Sequence, residues 1–327
     1  MNDNDKRGCP CLYLIVPCYN EEEIIRNSAA ILKEKMMSLI SSGDIKKNSR
    51  IMFVDDGSRD ETLSILTDLA HGDHIFSVVS LIGNRGQQNA ILAGLMTAKR
   101  ADAAITIDAD LQQDVEAIDD FLRCYKNGAE VVYGVRRNRD ADGFFKRMTA
   151  SGYYTLMHMM GSDVIRNHAD YRLISRKVID ALSLYDETNL FLRGLIPTMG
   201  FTSDIVCCDV KKRTGGGSKY TLAKMIRLAT DGITSFSIRP LRIISFIGFL
   251  IVFLSACLTV WSFIEWMLGR NVRGYTTLIL VQLFSSGTIL LSLGVIGEYV
   301  GKIYTEAKKR PKYIIDSVIC GDPEDED

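Results

Sequence analysis

Asp108 and Asp110 stand one residue apart at the end of a short apolar run, in "ITIDADLQQD" (Ile105 to Asp114). Two carboxylates at that spacing repel unless a cation or a set of hydrogen-bond donors compensates them. A hard divalent ion, Mg2+ or Mn2+, meets that need: it takes carboxylate oxygens from the protein and completes its shell with water and phosphate. Such an ion would offset the charge of a departing diphosphate. A D-x-D pair arises often by chance, and ordinary loop acids are the bland alternative. Position favours the cation, because the pair ends a buried strand and a second acidic turn, "VDDGS", ends the strand two earlier.

The elements that would position these acids alternate along the chain. Strand-like runs "LYLIV", "RIMFV", "FSVVSLI", "AAITI" and "EVVYGV" are separated by helical stretches. In one of them, "EEEIIRNSAAILKEKMMSLI", Ile24, Ile25, Ile31, Leu32 and Met36 form an apolar stripe. The pattern predicts an α/β fold with a Rossmann-like, mostly parallel sheet covered on both faces. Ligands of such sheets gather beyond the carboxyl ends of the strands. There the polar clusters lie: "PCYNEEE", "DDGSRDE", "GNRGQQNA", "DADLQQD" and "RRNRD" each follow one strand. No G-x-G-x-x-G follows the first strand and no G-x-x-x-x-G-K-[ST] occurs, which removes the main support for dinucleotide and P-loop readings. Glu22, Glu23, Asp60 and Glu61 read equally as helix-start acids. Asp102, Asp119 and Asp120 read as solvated surface charges, and the four histidines have no ligand spacing.

The 39 basic and 40 acidic residues among 327 give no pull toward nucleic acid. The apolar part of "MNDNDKRGCPCLYLIVP" breaks at Pro17, too early for a secretory signal. The eight cysteines are therefore expected as reduced thiols, and their spacing makes no four-ligand zinc site. Composition changes near Arg239. Ser245 to Ile264 is twenty residues without a charge, and Gly274 to Gly297 is twenty-four more. Each is long enough to cross a hydrocarbon core as a helix. Trp261, Trp266 and Tyr275 flank the loop between them as interface aromatics do. The positive residues sit mostly on the outer flanks, at Arg239, Arg242, Lys302, Lys308, Lys309, Arg310 and Lys312. That bias predicts a multi-pass protein of the cytoplasmic membrane with its large domain and both termini cytosolic.

The expected organisation is a cytosolic domain over 1–218 and an amphipathic juxtamembrane segment over 219–242. A transmembrane hairpin follows over 243–300 (helices 243–266 and 275–298), then a cytosolic tail over 301–327 ending in a solvated "GDPEDED". In the juxtamembrane segment Leu222, Met225, Ile226, Ala229, Ile233 and Phe236 recur at helical spacing, with packing on the soluble domain as the alternative. Small residues at Gly248, Ser255, Gly287 and Gly294 would permit close helix packing, which leaves a homo-oligomer open.

The ordered set "VPCYNEE", "VDDGSRD", "NRGQQNAILAGL", "DADLQ", "YGVRRNR" and "DYRLISR" resembles the inverting glycosyltransferases of family two, which have the GT-A fold. With "RTGGGSKY", "SFSIRPLR", two spans and "GEYVGKIY…RPKY", the resemblance narrows to polyprenyl-phosphate glycosyltransferases, the group of bactoprenol glucosyltransferases and dolichol-phosphate mannose synthase. It runs from about Leu12 to Tyr313. The resemblance implies a nucleotide sugar donor, a polyprenyl phosphate acceptor in the bilayer and a Mg2+ or Mn2+ cofactor. It implies that Pro17, Tyr19 and Glu21 line the nucleobase and ribose pocket with Val54 and Asp56. Asp108, Ala109 and Asp110 would meet the diphosphate and metal, with Asp108 and Asp110 as ligands, and Gln112 would orient the donor. Arg136 would meet phosphate or donor sugar. Arg213, Ser218 and Lys219 would lie on a glycine-rich loop near the acceptor. Asp170 takes the position of a catalytic carboxylate, either orienting the acceptor or assisting the metal, or acting as a base. Two positions depart from the pattern: Arg85, where relatives often carry an aromatic residue, and Gly217, where many carry Glu.

The implied reaction is transfer of a hexose from UDP-glucose to undecaprenyl phosphate, feeding cell-surface glycan such as lipopolysaccharide. UDP-GlcNAc, UDP-galactose and GDP-mannose are alternative donors. A processive synthase is disfavoured because no Q-x-x-R-W occurs, and a non-catalytic membrane component because the acidic motifs are intact.

Overall fold

A computed structural model describes residues 7–136, 168–186, 192–208, 239–268 and 275–320. They belong to two units, one of 1–154, 163–219 and 311–327, the other of 155–162 and 220–310.

The first unit is built on strands β1 (Leu12–Cys18), β2 (Arg50–Asp55), β3 (Phe76–Leu81), β4 (Ala103–Thr106) and β5 (Val131–Arg136), the five runs expected from their apolar patterns. Between them lie helices α1 (Ile25–Ser41), α2 (Thr62–Gly72), α3 (Gln87–Thr97) and α4 (Ala117–Lys126). Then come β6 (His168–Ser175), α5 (Arg176–Leu182), α6 (Leu192–Thr198) and β7 (Ser203–Cys208), and finally β8 (Ile315–Cys320). The sheet order is β7-β5-β6-β4-β1-β2-β3-β8. β1 to β4 are near-continuously buried because α1, α2 and α4 cover one face while α3, α5 and α6 cover the other.

Four of the seven strand pairings are parallel, so the sheet is mixed where a mostly parallel one was expected. The cause is β6, which enters between β4 and β5 antiparallel to both. A further antiparallel strand, β8, caps the edge of β3. The segment 301–327 is therefore more than a tail. An open β3 edge would leave a row of unpaired backbone groups, and β8 pairs them while Ile319 packs against the core. "GDPEDED" lies outside the described residues.

Two expectations about side chains also change. Ile31 is 40% exposed, while Ser28 and Lys35 join Ile25, Leu32 and Met36 on the buried face of α1. Lys35 is tolerated there because Glu116 and Asp119 accept its ammonium, at 2.5 and 2.9 Å, so Asp119 is an ion-pair partner. Asp102 likewise accepts the Cys11 N–H at 2.7 Å and Lys46 Nζ at 2.8 Å, tying the start of β1 to the start of β4.

The second unit contributes α7 (Arg239–Met267) and α8 (Tyr275–Ala307), with 29 and 33 residues. At about 1.5 Å per residue each exceeds 40 Å. Phe246, Phe249, Trp261, Leu278, Phe284 and Leu290 are all exposed. Among the described residues one stretch, Phe284–Ala307, is long and apolar enough to cross a membrane. Most of the amphipathic segment 219–242 lies outside the described residues.

Strand directions fix where the chain enters and leaves the sheet. β7 runs parallel to β5, and two antiparallel steps through β6 make β5 parallel to β4 and β1. β7 therefore ends, and the antiparallel β8 begins, at the edge where β1 to β5 end.

Helix α3 lies unusually close to the sheet. A Cβ on Gly94 would fall 2.5 Å from Ile15 Cγ2 and 2.8 Å from Val54 Cγ2. Overpacking of this kind costs about 1–3 kcal/mol. Gly94→Ala should therefore lower the thermal midpoint of the full chain in detergent by several degrees, and an unchanged midpoint would contradict this packing.

Candidate active site

At the carboxyl edge, the loops after β1 and β2 are stitched together. Asn20, at φ +54°, donates its N–H to Ser58 Oγ (3.0 Å) and accepts the Arg59 N–H (2.9 Å). Thr62 Oγ1 accepts the Glu21 N–H, and Glu22 accepts the Glu61 N–H. Gly57 makes the next loop fit: its φ is +67°, and a Cβ there would lie 2.6 Å from the Gly83 backbone. Across that contact, buried Asp56 accepts the N–H groups of Arg85 (2.7 Å) and Gly86 (2.8 Å). Burial pushes the Asp56 carboxyl up and these two N–H groups oppose it. Asp55 accepts the Ser58 N–H through Oδ2, while its buried Oδ1 has no hydrogen-bond partner among the described residues.

The brace from Asp56 sets the start of α3, from which adjacent glutamines reach two different acids. Gln87 Nε2 donates to Asp108 Oδ1 at 2.7 Å, and Gln88 Nε2 donates to Asp170 Oδ2 at 3.0 Å. The other oxygen of Asp108 accepts Gln113 Nε2, and Gln113 Oε1 accepts the Asp108 N–H at 3.2 Å. Both carboxylate oxygens of Asp108 are thus held by amides. Burial raises the Asp108 carboxyl, the charges of Asp170 and Asp110 add to this, and Gln113 and Arg193 oppose it. Asp110 is exposed and accepts the Gln112 N–H at 3.2 Å. Between them, buried Ala109 is pinned through its carbonyl by Ser28 Oγ of α1 at 2.6 Å.

Asp170 lies level with Asp108. Thr106 of β4 pairs with Arg172 of the antiparallel β6, so two residues further on Asp108 stands beside Asp170. The Asp170 carboxylate is 2% exposed and receives four donors: Arg172 Nη2 on Oδ1 (2.5 Å), Arg193 Nε on Oδ1 (3.0 Å), Arg193 Nη2 on Oδ2 (2.7 Å) and Gln88 Nε2 on Oδ2 (3.0 Å). Burial alone would raise its pKa. The Arg193 hydrogen bonds and the charges of Arg172 and Arg193 outweigh burial and hold it at about 2. Burial pulls the Arg172 guanidinium down and Asp170 opposes that. Its ordinary value is high enough that it stays charged. Arg172 Nε and Nη1 are buried without a partner among the described residues.

This edge thus gathers Asp56, Asp108, Ala109, Asp110, Gln112 and Asp170. Pro17 and Val54 pair in register between β1 and β2 and are buried, whereas Tyr19 is 39% exposed and Glu21 partly so. The backbone of Arg136 ends β5 opposite Cys208. The Arg136 side chain, and all of Arg213, Ser218 and Lys219, lie outside the described residues.

Comparison with known proteins bears on the same residues. Residues 13–183 match the family model described as glycosyl transferase family 2, and residues 239–303 match the GtrB C-terminal hairpin. The chain belongs to glycosyltransferase family 2. The uncharacterized glycosyltransferase YkoT of Bacillus subtilis is 45% identical, over 95% of this chain and 93% of its own. The SfII prophage-derived bactoprenol glucosyl transferase of Shigella flexneri is 38% identical, over 95% and 99%.

In this glycosyltransferase several participants escaped the reading of the sequence: Gln87, Gln88, Gln113, Arg172 and Arg193. Arg172 had a usable signal, since residues two apart on a strand share a face and Asp170 is two before it. Arg193 had only its isolation as a cation in "LFLRGLI". The donor set suits a Mg2+ or Mn2+ ion. Among the described residues no group of three or more His, Cys, Asp or Glu converges. Exposed Asp110 beside amide-held Asp108 would offer such an ion one or two carboxylates, its remaining ligands coming from water and phosphate.

Because the folded-state value of Asp170 lies below the ordinary 3.8, its ionisation contributes stability that is complete above that value and lost as pH falls toward about 2. Asp170→Asn, which leaves a buried cation uncompensated, should cost about 3–5 kcal/mol near pH 7. That gap should narrow by about 2 kcal/mol by pH 2. Denaturation of both proteins across pH 2–7 checks this, and a gap independent of pH would contradict it.

Proposed function

We propose that the protein transfers a hexose with inversion from a nucleotide diphosphate sugar, UDP-glucose first among the candidates, to polyprenyl (undecaprenyl) phosphate in the cytoplasmic membrane. One observation carries the reading. A family 2 domain and a GtrB C-terminal hairpin occur in one chain, collinear over 95% of its length with a relative named for bactoprenol glucosyl transfer. The exposed apolar side chains of α7 and α8 support a two-helix membrane hairpin, and the basic outer flanks support a cytosolic catalytic domain.

The chemistry suits the site. A phosphate monoester, with a second pKa of about 6, is largely dianionic at neutral pH. One of its oxygens bonds to the anomeric carbon while the bond from that carbon to the nucleoside diphosphate breaks. The leaving diphosphate takes the electron pair, and no proton moves. No base is needed, and Asp170, already ionised and covered by donors, is better suited to fixing cations than to taking a proton. Asp110, with Asp108 behind it, would hold Mg2+ or Mn2+, which when bound neutralises diphosphate charge. The amide clamps keep Asp108 from turning toward Asp170. The Asp56 brace fixes the backbone of the third loop at Arg85 and Gly86.

Membranes containing the protein, offered radiolabelled UDP-glucose, UDP-GlcNAc, UDP-galactose and GDP-mannose in turn, should label a polyprenyl lipid with one donor preferred. Chelation should stop the labelling, added Mg2+ or Mn2+ should restore it, and Asp110→Ala should reduce it by about 10²-fold or more. Lipid labelling at full rate in chelator, or none with any donor, would overturn the proposal.

A further inference from the structure

The Asp170 carboxylate takes two guanidinium groups of very different exposure. Arg172 is fully buried and donates to Asp170. Arg193 adds a second guanidinium to the same carboxylate, and its side chain is 38% exposed against 2% for Asp170 and 0% for Arg172. The Arg193 fork is bidentate, through Nε and Nη2, which fixes the plane of the guanidinium as well as its position. Gln88 steadies the arrangement from the other side: Nε2 donates to Asp170 and Oε1 accepts the Leu192 N–H at 3.3 Å, which anchors the start of the helix that carries Arg193. Asp170 stands level with Asp108 at the carboxyl edge, and Arg193 acts electrostatically on Asp108. A partly exposed cation with a locked orientation therefore stands beside an acidic site at which the proposed reaction receives phosphate.

We infer that Arg193 contacts a phosphate group of the substrates, and that Asp170 is the positioning residue that aims it, with Gln88 fixing both. The inference rests on the proposed reaction for the choice of ligands: the phosphate belongs either to the nucleoside diphosphate of the donor or to the lipid acceptor. Planarity matters, so lysine replaces arginine only in part.

The test uses the full chain in lipid nanodiscs, with Arg193→Gln, Arg193→Lys, Asp170→Asn and the double variant Asp170→Asn/Arg193→Gln. Arg193→Gln should reduce kcat/KM for transfer by about 10²-fold or more, measured below its own thermal midpoint, which falls because buried Asp170 loses two of its donors. Arg193→Lys should recover at least part of the loss. UDP titrated calorimetrically in the presence of Mg2+ separates the two sources. Weaker UDP binding places Arg193 on the donor, and unchanged UDP binding with a raised KM for polyprenyl phosphate places it on the acceptor. Either result supports the inference. The double variant should be no worse than the poorer single one, since the two residues act as a unit. Asp170→Asn should keep the acid limb of the pH–rate profile, which belongs to the acceptor phosphate. Arg193→Gln within threefold of the parent in kcat/KM, with UDP affinity and acceptor KM unchanged, would overturn the role of Arg193. Loss of the acid limb in Asp170→Asn would overturn the positioning role. Should Asp170→Asn fail to fold, the two Arg193 variants decide the matter. Should the parent label no polyprenyl lipid, the proposed acceptor fails, and UDP affinity of Arg193→Gln still decides: weakened binding supports the inference and unchanged binding overturns it.

Discussion

Two carboxylates at the same height on neighbouring strands are the constraint on which this site depends. Asp108 and Asp170 end up side by side because β6 runs antiparallel to β4 with Thr106 opposite Arg172. Left alone, the two charges would repel in a setting that solvent screens poorly. Arg172 from the same strand and Arg193 from α6 converge on Asp170, and amides from Gln87 and Gln113 converge on Asp108. Asp170 is thereby committed to its ionised form, while burial and its neighbour's charge push Asp108 the other way. One acid becomes a fixed anchor for cations and the other a restrained partner for exposed Asp110.

The rest of the catalytic unit holds this pair in place. The start of α3 matters most, because from it Gln87 reaches Asp108 and Gln88 reaches Asp170. That start is placed from two sides. Gly94 lets the helix sink onto Ile15 and Val54, and Asp56 fixes the backbone of Arg85 and Gly86 just ahead of it. On the other face of the sheet, α1 reaches through Ser28 to the carbonyl of Ala109, between the paired aspartates. Ser28, a polar residue buried on a mostly apolar helix face, serves the site's geometry here, and its hydroxyl has the partner that burial demands.

The chain passes to the helical unit after β7 and comes back as β8, and these are the two outermost strands of the sheet. β8 closes an edge that would otherwise be open to pairing with another chain. It also ties the sequence that follows α8 into the core through Ile319.

The linear order of residues already determined a good deal. The five apolar runs became β1 to β5, since buried strands advertise themselves by continuous hydrophobicity, and the polar clusters after them lay where such sheets bind ligands. Asp108, Asp110, Asp56 and Asp170 could be picked out because each sits in a motif of contiguous residues. Two long uncharged stretches could be read as helices for the same local reason. Tertiary structure decided what depends on register and on partners far apart in the chain. β6 and β8 are too mixed in composition to stand out, and their antiparallel pairing, which made the sheet mixed, follows from the partners they found. Ser28 and Lys35 look like ordinary surface residues until Ala109, Glu116 and Asp119, some eighty positions away, are brought against them. Asp170 reads by its motif as a carboxylate that orients the acceptor, assists the metal or acts as a base, and which of these it can do is set by what surrounds it. Only the fold could deliver Arg193 and Gln88 to its two oxygens, because electrostatic energy depends on distance in space and not along the chain.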